Sequence, residues 1–181
     1  FVGSHAQLVK SKDDVVRTLV YPLDDAQIKH WLAHKTTPPF CGAAIVFKRK
    51  LYEEIGLYDE RFNRLGAEDY DWIYRAADKT KMANVDEPLY AYRLNPESVS
   101  KVDTITNPLS LYSEDLAKDL YRFRKENPAV SDVEFFEGRR AHYLAAFEVD
   151  KSRLFSKTVY KLAIAGQRLT LMRQFLIILT A

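Results

Sequence analysis

The stretch Gly66-Ala67-Glu68-Asp69-Tyr70-Asp71-Trp72 places three carboxylates within four positions, directly after the turn signal Arg64-Leu65-Gly66. Acidic side chains are favourable at a helix N-terminus, because the helix dipole concentrates partial positive charge there. Apolar residues then recur at helical spacing, at Tyr70, Ile73, Tyr74 and Ala77. We therefore predict a helix that begins at Glu68 or Asp69 and ends between residues 78 and 81.

A short apolar run lies upstream of this helix, Phe40-Cys41-Gly42-Ala43-Ala44-Ile45-Val46-Phe47, and turn residues bound it. Such a run predicts a buried strand. Gly42 leaves room for a ligand or another strand to approach the backbone closely. The alternative is a glycine that serves packing alone.

The residues up to 106 alternate between predicted strands and short helices. Asp24 or Asp25 caps one helix, Gly56 ends another over residues 51–55, and residues 57–62 form an irregular segment that carries buried aromatics. Alternation of apolar and polar residues, or short β-branched runs, predicts four further strands. These are residues 1–9, 15–21, 82–85 and 87–93.

Predicted helices dominate the chain from Asn107 onward. Asn107-Pro108 combines an N-cap residue with proline at the first helical position. Ser131 and Glu134 have the spacing of a capping box, and two more helices follow towards the C-terminus. We therefore predict a mixed α/β fold in two parts: a partial sheet with flanking helices over residues 1–106, and a helical region over residues 107–181.

Composition narrows the classes of protein that this chain can represent. The 27 Lys and Arg residues nearly balance the 25 Asp and Glu residues, so charge favours neither nucleic acid nor an acidic partner. The single Cys41 excludes an internal disulfide and is typical of a reducing compartment. No apolar run is long enough for a membrane-spanning helix. We expect a cytoplasmic protein, and the start at Phe1 inside a predicted strand favours a fragment over a trimmed natural start.

The acidic cluster has a chemical interpretation beside the helix cap. A carboxylate at a helix start can accept a proton from a hydroxyl nucleophile, and a neighbouring carboxylate keeps its pKa high enough for that task. Trp72 and Tyr70 offer flat faces for sugar rings, while Arg93, Ser98 and Ser100 can hold phosphate oxygens. This set describes sugar transfer from a phosphorylated donor to a hydroxyl. The alternative is a non-catalytic carbohydrate-binding or helical interaction module.

Four ordered segments resemble the acceptor-side half of a family 2 glycosyltransferase with the GT-A fold. No single segment is specific, so the resemblance depends on their order and spacing. The segments are Phe40-Cys41-Gly42-Ala43-Ala44-Ile45-Val46-Phe47-Lys48-Arg49, Glu54-Ile55-Gly56-Leu57-Tyr58-Asp59-Glu60-Arg61-Phe62, Gly66-Ala67-Glu68-Asp69-Tyr70-Asp71-Trp72 with Arg75, and Glu87-Pro88-Leu89-Tyr90-Ala91-Tyr92-Arg93 with Ser98-Val99-Ser100.

The resemblance implies an inverting transfer in which Asp69 is the general base and Glu68 orients or tunes it. The donor would be a nucleotide sugar, such as a UDP-sugar, and the acceptor a glycan or a lipid-linked glycan. The implied setting is polysaccharide or glycolipid synthesis in the cytoplasm, at the inner face of the membrane. The residues that the resemblance assigns to substrate binding are Cys41, Gly42, Trp72, Arg93 and Ser98.

The chain departs from the family pattern at the metal site. The family holds a divalent metal, Mg or Mn, on the donor diphosphate with an Asp-x-Asp motif, and no such motif follows a strand in residues 1–40. We therefore expect the donor-binding half upstream of Phe1, and a chain that is inactive alone. Asn95 stands where many members carry a histidine, which leaves it as the one candidate metal ligand.

Two features bear on association. Basic residues alternate with apolar ones near the C-terminus, which is typical of an interfacial helix on anionic lipid or of the solvated face of a helical bundle. A sheet that lacks its first strands would expose an edge, which favours a homodimer or a rearranged edge. The basic residues are Lys151, Arg153, Lys157, Lys161, Arg168 and Arg173.

Overall fold

The computed structural model describes residues 1–94 and 107–156, and these form a mixed α/β fold as predicted. Asn95, Ser98, Ser100 and the last predicted helix lie outside the described residues. Within the described ranges, no helix combines the length and the apolar character needed to cross a bilayer. The strands are β1 (Val2–Ser11), β2 (Asp14–Leu19) and β3 (Ala83–Arg93), and the helices are α1 (Asp25–His34), α2 (Arg49–Ile55), α3 (Glu68–Ala77), α4 (Ser113–Glu126) and α5 (Val133–Val149).

The sheet has the strand order β2-β1-β3, with β1 antiparallel to β2 and parallel to β3. Helices α1, α2 and α3 all lie in the crossover between β1 and β3. The two strands predicted over residues 82–85 and 87–93 are one strand, β3. Its register against β1 shifts between Ser4 and Ala6, opposite Pro88, which has no N–H to donate to the ladder.

The prediction of a buried strand over residues 40–47 is wrong. Gly42–Ala44 is a turn of 3-10 helix, in which the Ala44 N–H donates to the Cys41 carbonyl at 2.8 Å. Val46 alone pairs with β1, through two backbone hydrogen bonds with Val2 of 2.8 and 2.9 Å. Small side chains allow this tight turn, and Val46 is 74% exposed rather than buried.

Helix α3 lies at the centre of the hydrophobic core. Its side chains Tyr70, Trp72, Ile73 and Tyr74 are almost completely buried, and Leu116 and Leu120 of α4 belong to the same cluster. Helix α4 therefore packs directly onto α3. The predicted boundary between residues 106 and 107 falls at the edge of a segment outside the described residues.

A buried ion pair joins α3 to α4. Asp71 is fully buried, and its Oδ2 receives Arg75 Nε at 2.9 Å while its Oδ1 receives Arg124 Nη1 at 2.7 Å. Burial raises the pKa of Asp71, and the charges of Arg124 and Arg75 oppose that shift. With two guanidinium groups at hydrogen-bond distance, we assign an ionised carboxylate.

Arg124 belongs to a wider network that also includes the segment before α5. It contacts Asp132 at 2.6 Å and Asp59 at 3.0 Å, and Arg61 contacts the same two carboxylates at 2.9 and 2.7 Å. Burial alone would raise the pKa of Asp59, but its hydrogen bonds to Arg61 and Arg124 lower it to about 2. The network therefore holds α3, α4 and the start of α5 in one arrangement.

The predicted helix caps before α4 and α5 differ in the structure. Ser131, the predicted cap of α5, accepts the N–H of Val133 at 3.5 Å. Asn107 precedes a 3-10 turn, Pro108–Leu111, and donates its side-chain amide to the Arg64 carbonyl at 3.2 Å instead of capping. Helix α5 begins after Asp132, which makes no side-chain cap because Arg61 and Arg124 bind its carboxylate. Tertiary contacts thus take the side chains of Asn107 and Asp132 away from capping.

Replacement of Arg124 by alanine is predicted to lower the free energy of unfolding by about 3 kcal/mol, because it removes one of the two charges that neutralise Asp71. Equilibrium unfolding in urea measures the change. Lys125→Ala is the matched control on the next position of α4, since its ion pair with Asp78 is exposed and 3.4 Å long. The control should cost at most about 1 kcal/mol. Equal losses in the two variants would contradict the role of the buried pair.

Candidate functional site

A loop with unusual backbone angles leads into α3. Arg64, Gly66 and Ala67 have φ values of 61°, 79° and 67°, in the left-handed region. For the non-glycine residues this conformation costs about 1 kcal/mol each. The Ala67 carbonyl accepts the N–H of Asp71 at 2.9 Å, so the helix begins abruptly after the loop. Glu68 and Asp69 are consequently the first two residues of α3, as predicted.

The structure brings Asp69 against Gly42. A Cβ atom built on Gly42 would overlap Asp69 Oδ2 and would lie 3.0 Å from Asp69 Cγ. Glycine is therefore required at position 42, because any other side chain would displace the carboxylate. The sequence predicted that a ligand or another strand approaches Gly42 closely. In the structure, the group that approaches it is the side chain of Asp69.

The environment of Asp69 makes its carboxylate more basic than usual. Burial raises its pKa, and the neighbouring charge of Glu68 raises it further. The backbone N–H groups of Tyr70 and of Asp69 itself oppose these effects without reversing them. Asp69 is only partly buried, so a ligand can still reach it. A carboxylate of this kind is suited to accept a proton near neutral pH.

Cys41 forms a wall of the same site. Its side chain is buried, and burial raises the pKa of the thiol, with a further contribution from the charge of Asp69. The thiol therefore stays protonated at neutral pH and is a poor nucleophile. Cys41 lies beside the candidate site in the manner of a small apolar residue, and its contact with substrate stays a prediction.

Trp72 and Tyr70 do not present faces to a sugar, which corrects the prediction for both. Trp72 is 1% exposed, and its indole N–H donates to the Gly56 carbonyl at 2.9 Å. Tyr70 is equally buried, and its hydroxyl donates to the Thr37 carbonyl at 2.9 Å. Both face the core because α3 is covered by other elements on most of its circumference.

Tyr58, and not Trp72, has an aromatic ring that is exposed beside the candidate site. The sequence placed it among buried aromatics, but it is 48% exposed and packs edge-on against Trp72, with ring centroids 6.4 Å apart. Burial and the charges of Asp69 and Glu68 raise the pKa of its hydroxyl. The sequence feature that could have indicated this exposure is Gly56, two positions before Tyr58. Gly56 has a φ of 85°, and the chain turns away from α2 there.

The remaining predicted binding residues are placed only in part. Arg93 is exposed at the end of β3, where the next N–H, of Leu94, donates to the Val9 carbonyl at 2.8 Å. Ser98 belongs to the following segment, outside the described residues. The structure thus joins Asp69, Glu68, Gly42 and Cys41 in one site, and a diphosphate contact by Arg93 and Ser98 stays a prediction.

The described residues do not fit a divalent metal. No group of three His, Cys, Asp or Glu side chains converges within residues 1–94 and 107–156. The spacing Asp69-x-Asp71 is not a metal motif here, because Arg75 and Arg124 bind both oxygens of Asp71. Asn95 lies outside the described residues.

Comparison with protein-family models, with curated proteins and with solved structures finds no match to this chain.

Replacement of Glu68 by glutamine is predicted to lower the pKa of Asp69, because it removes a like charge while leaving burial unchanged. Titration of the Asp69 carboxyl carbon by NMR measures the shift, and burial should keep the pKa above that of an ordinary aspartate. Glu134→Gln, in the first turn of α5, is the control and should not move it. An unchanged Asp69 titration in Glu68→Gln would contradict the coupling of the two acids.

Proposed function

We propose that this chain carries the acceptor-side half of an inverting glycosyltransferase, which moves a sugar from a nucleotide-sugar donor to a hydroxyl group. The observation that supports this most is the Asp69 carboxylate, held against Gly42 at the start of α3 with a raised pKa. The class of reaction comes from the resemblance of four segments within residues 40–100, in their order along the chain, to family 2 glycosyltransferases.

Asp69 acts as the general base in this proposal. Its carboxylate takes the proton of the acceptor hydroxyl as that oxygen attacks the anomeric carbon of the donor. The bond from the anomeric carbon to the diphosphate oxygen breaks, and its electron pair leaves with the nucleoside diphosphate. One displacement inverts the anomeric configuration. Glu68 keeps Asp69 basic by repulsion, and Gly42 leaves room for the carboxylate.

The donor side is proposed from the resemblance. A nucleotide sugar, such as a UDP-sugar, would place its diphosphate near Arg93 and the loop with Ser98. A divalent metal, Mg or Mn, would neutralise charge on the leaving diphosphate in the full enzyme. The described residues provide no ligand set for it, so each step above uses only side chains of this chain.

The cellular setting follows from the same proposal. The acceptor is a glycan or a lipid-linked glycan in the synthesis of a polysaccharide or glycolipid of the cell envelope. The enzyme works in the cytoplasm, peripherally at the inner face of the membrane. The strand β2 at one edge of the sheet has largely exposed side chains, which leaves an edge for homodimerisation.

A second candidate is a carbohydrate-binding module without catalysis. The exposed ring of Tyr58 beside the acid pair favours sugar contact and does not require turnover. An activity assay distinguishes the two candidate functions. A glycosyltransferase and a binding module both bind glycans, but only the glycosyltransferase releases a nucleoside diphosphate.

Replacement of Asp69 by asparagine is predicted to lower the transfer rate of the full-length protein by about 10²–10⁴-fold, the usual contribution of a general base. Release of nucleoside diphosphate from a panel of nucleotide sugars measures it, and circular dichroism verifies the fold.

Asp78→Asn is the matched control, since this exposed residue follows the last turn of α3. It should retain the wild-type rate. Undiminished turnover in Asp69→Asn would rule out this base, while no transfer by the wild-type protein from any donor would favour the binding module.

A further inference from the structure

Two half-exposed tyrosines stand on the buried indole of Trp72. Tyr58 is 48% exposed, and Tyr52 of α2 is 38% exposed. Their ring centroids lie 6.4 and 6.3 Å from that of Trp72. Phe47 covers another part of the indole at 4.7 Å. Trp72 is thus a rigid support beneath two rings that reach solvent.

The same helix holds this support and the candidate base. Asp69 and Trp72 are three positions apart on α3, so their side chains lie on neighbouring parts of one helix face. Tyr58 packs on Trp72 and is close enough to Asp69 and Glu68 for their charges to act on its hydroxyl. The ring of Tyr58, packed on Trp72 one helical turn from Asp69, therefore lies on the side of α3 that carries the carboxylates.

A solvent-exposed tyrosine beside carboxylates matches the chemistry of a sugar ring. A pyranose has an apolar face of C–H groups and a rim of hydroxyls, and aromatic rings bury the apolar face while the tyrosine hydroxyl stays wet. The rigid ring also loses little conformational freedom on contact. An acyclic polyol has the same hydroxyls and lacks that face.

We propose that Tyr58, with Tyr52 beside it, is the platform on which the terminal pyranose of the acceptor lies while one of its hydroxyls reaches Asp69. The inference rests on the proposed function and narrows its acceptor to a glycan whose terminal ring is recognised. Tyr58 is here a substrate-contacting residue, and Trp72 positions it.

Binding to the 181-residue chain tests the platform without catalysis. The probes are methyl β-D-glucopyranoside, methyl β-D-galactopyranoside and methyl N-acetyl-β-D-glucosaminide, with sorbitol as the acyclic reference. Saturation-transfer NMR and tryptophan fluorescence measure binding. The wild-type chain should bind at least one pyranoside more tightly than sorbitol. Tyr58→Ala should weaken that binding by about five- to tenfold.

Tyr58→Phe is the matched variant, because it keeps the ring and removes the hydroxyl. It should bind within about twofold of the wild type. Overturning results are no preference for pyranosides over sorbitol, equal binding by Tyr58→Ala and wild type, or equal losses in the two variants. Thermal unfolding of each variant separates a lost contact from a lost fold.

Kinetics of the full-length protein distinguish this inference from the proposed function. Tyr58→Ala should raise KM for the acceptor by a larger factor than it changes KM for the donor. Wild-type transfer with an unchanged acceptor KM in Tyr58→Ala would overturn the platform and leave the transferase. Binding that depends on Tyr58, without any transfer, would support the platform and overturn the transferase.

Discussion

The buried carboxylate of Asp71 is the constraint on which the candidate site depends. An unpaired charge at this position would cost several kcal/mol, and Arg75 and Arg124 remove most of that cost. Asp71 lies in the first turn of α3, two residues after Asp69. The ion pair with Arg124, which anchors Asp71 to α4, therefore also determines where Glu68 and Asp69 lie. Helix α4 therefore supports the site through Arg124, whose partner Asp71 lies two residues from Asp69.

The site is assembled from three elements that meet at the start of α3. The left-handed residues before the helix make its entry abrupt, Gly42 in the 3-10 turn leaves space for Asp69, and Tyr58 follows the glycine that ends α2. Each of these three segments departs locally from regular helix or strand geometry. Departures of this kind gather at functional sites, where the surrounding packing holds them in place.

The sequence predicted what depends on local pattern. Helical periodicity located α3, and the pattern at residues 42 and 68–69 singled out side chains that the structure brings together. The errors concern long-range packing. Residues 40–47 are apolar but form a turn instead of a strand. Trp72 is buried and supports the exposed rings of Tyr52 and Tyr58, whereas the sequence predicted that Trp72 itself is exposed to a sugar. The pairing of Asp71 with Arg124 spans 53 positions, and no local pattern reports it. Exposure of Tyr58 likewise depends on which elements cover α3.

The stereochemistry of transfer tests the central claim most directly, because a single base at Asp69 permits only one displacement. The measurement is the anomeric configuration of the new glycosidic bond, determined by proton NMR. The product is the one that the full-length protein makes from an α-configured nucleotide sugar and a pyranoside acceptor. A β-linked product is the result expected from an attack assisted by Asp69. An α-linked product would contradict it, since a single in-line displacement assisted by a general base inverts the anomeric carbon.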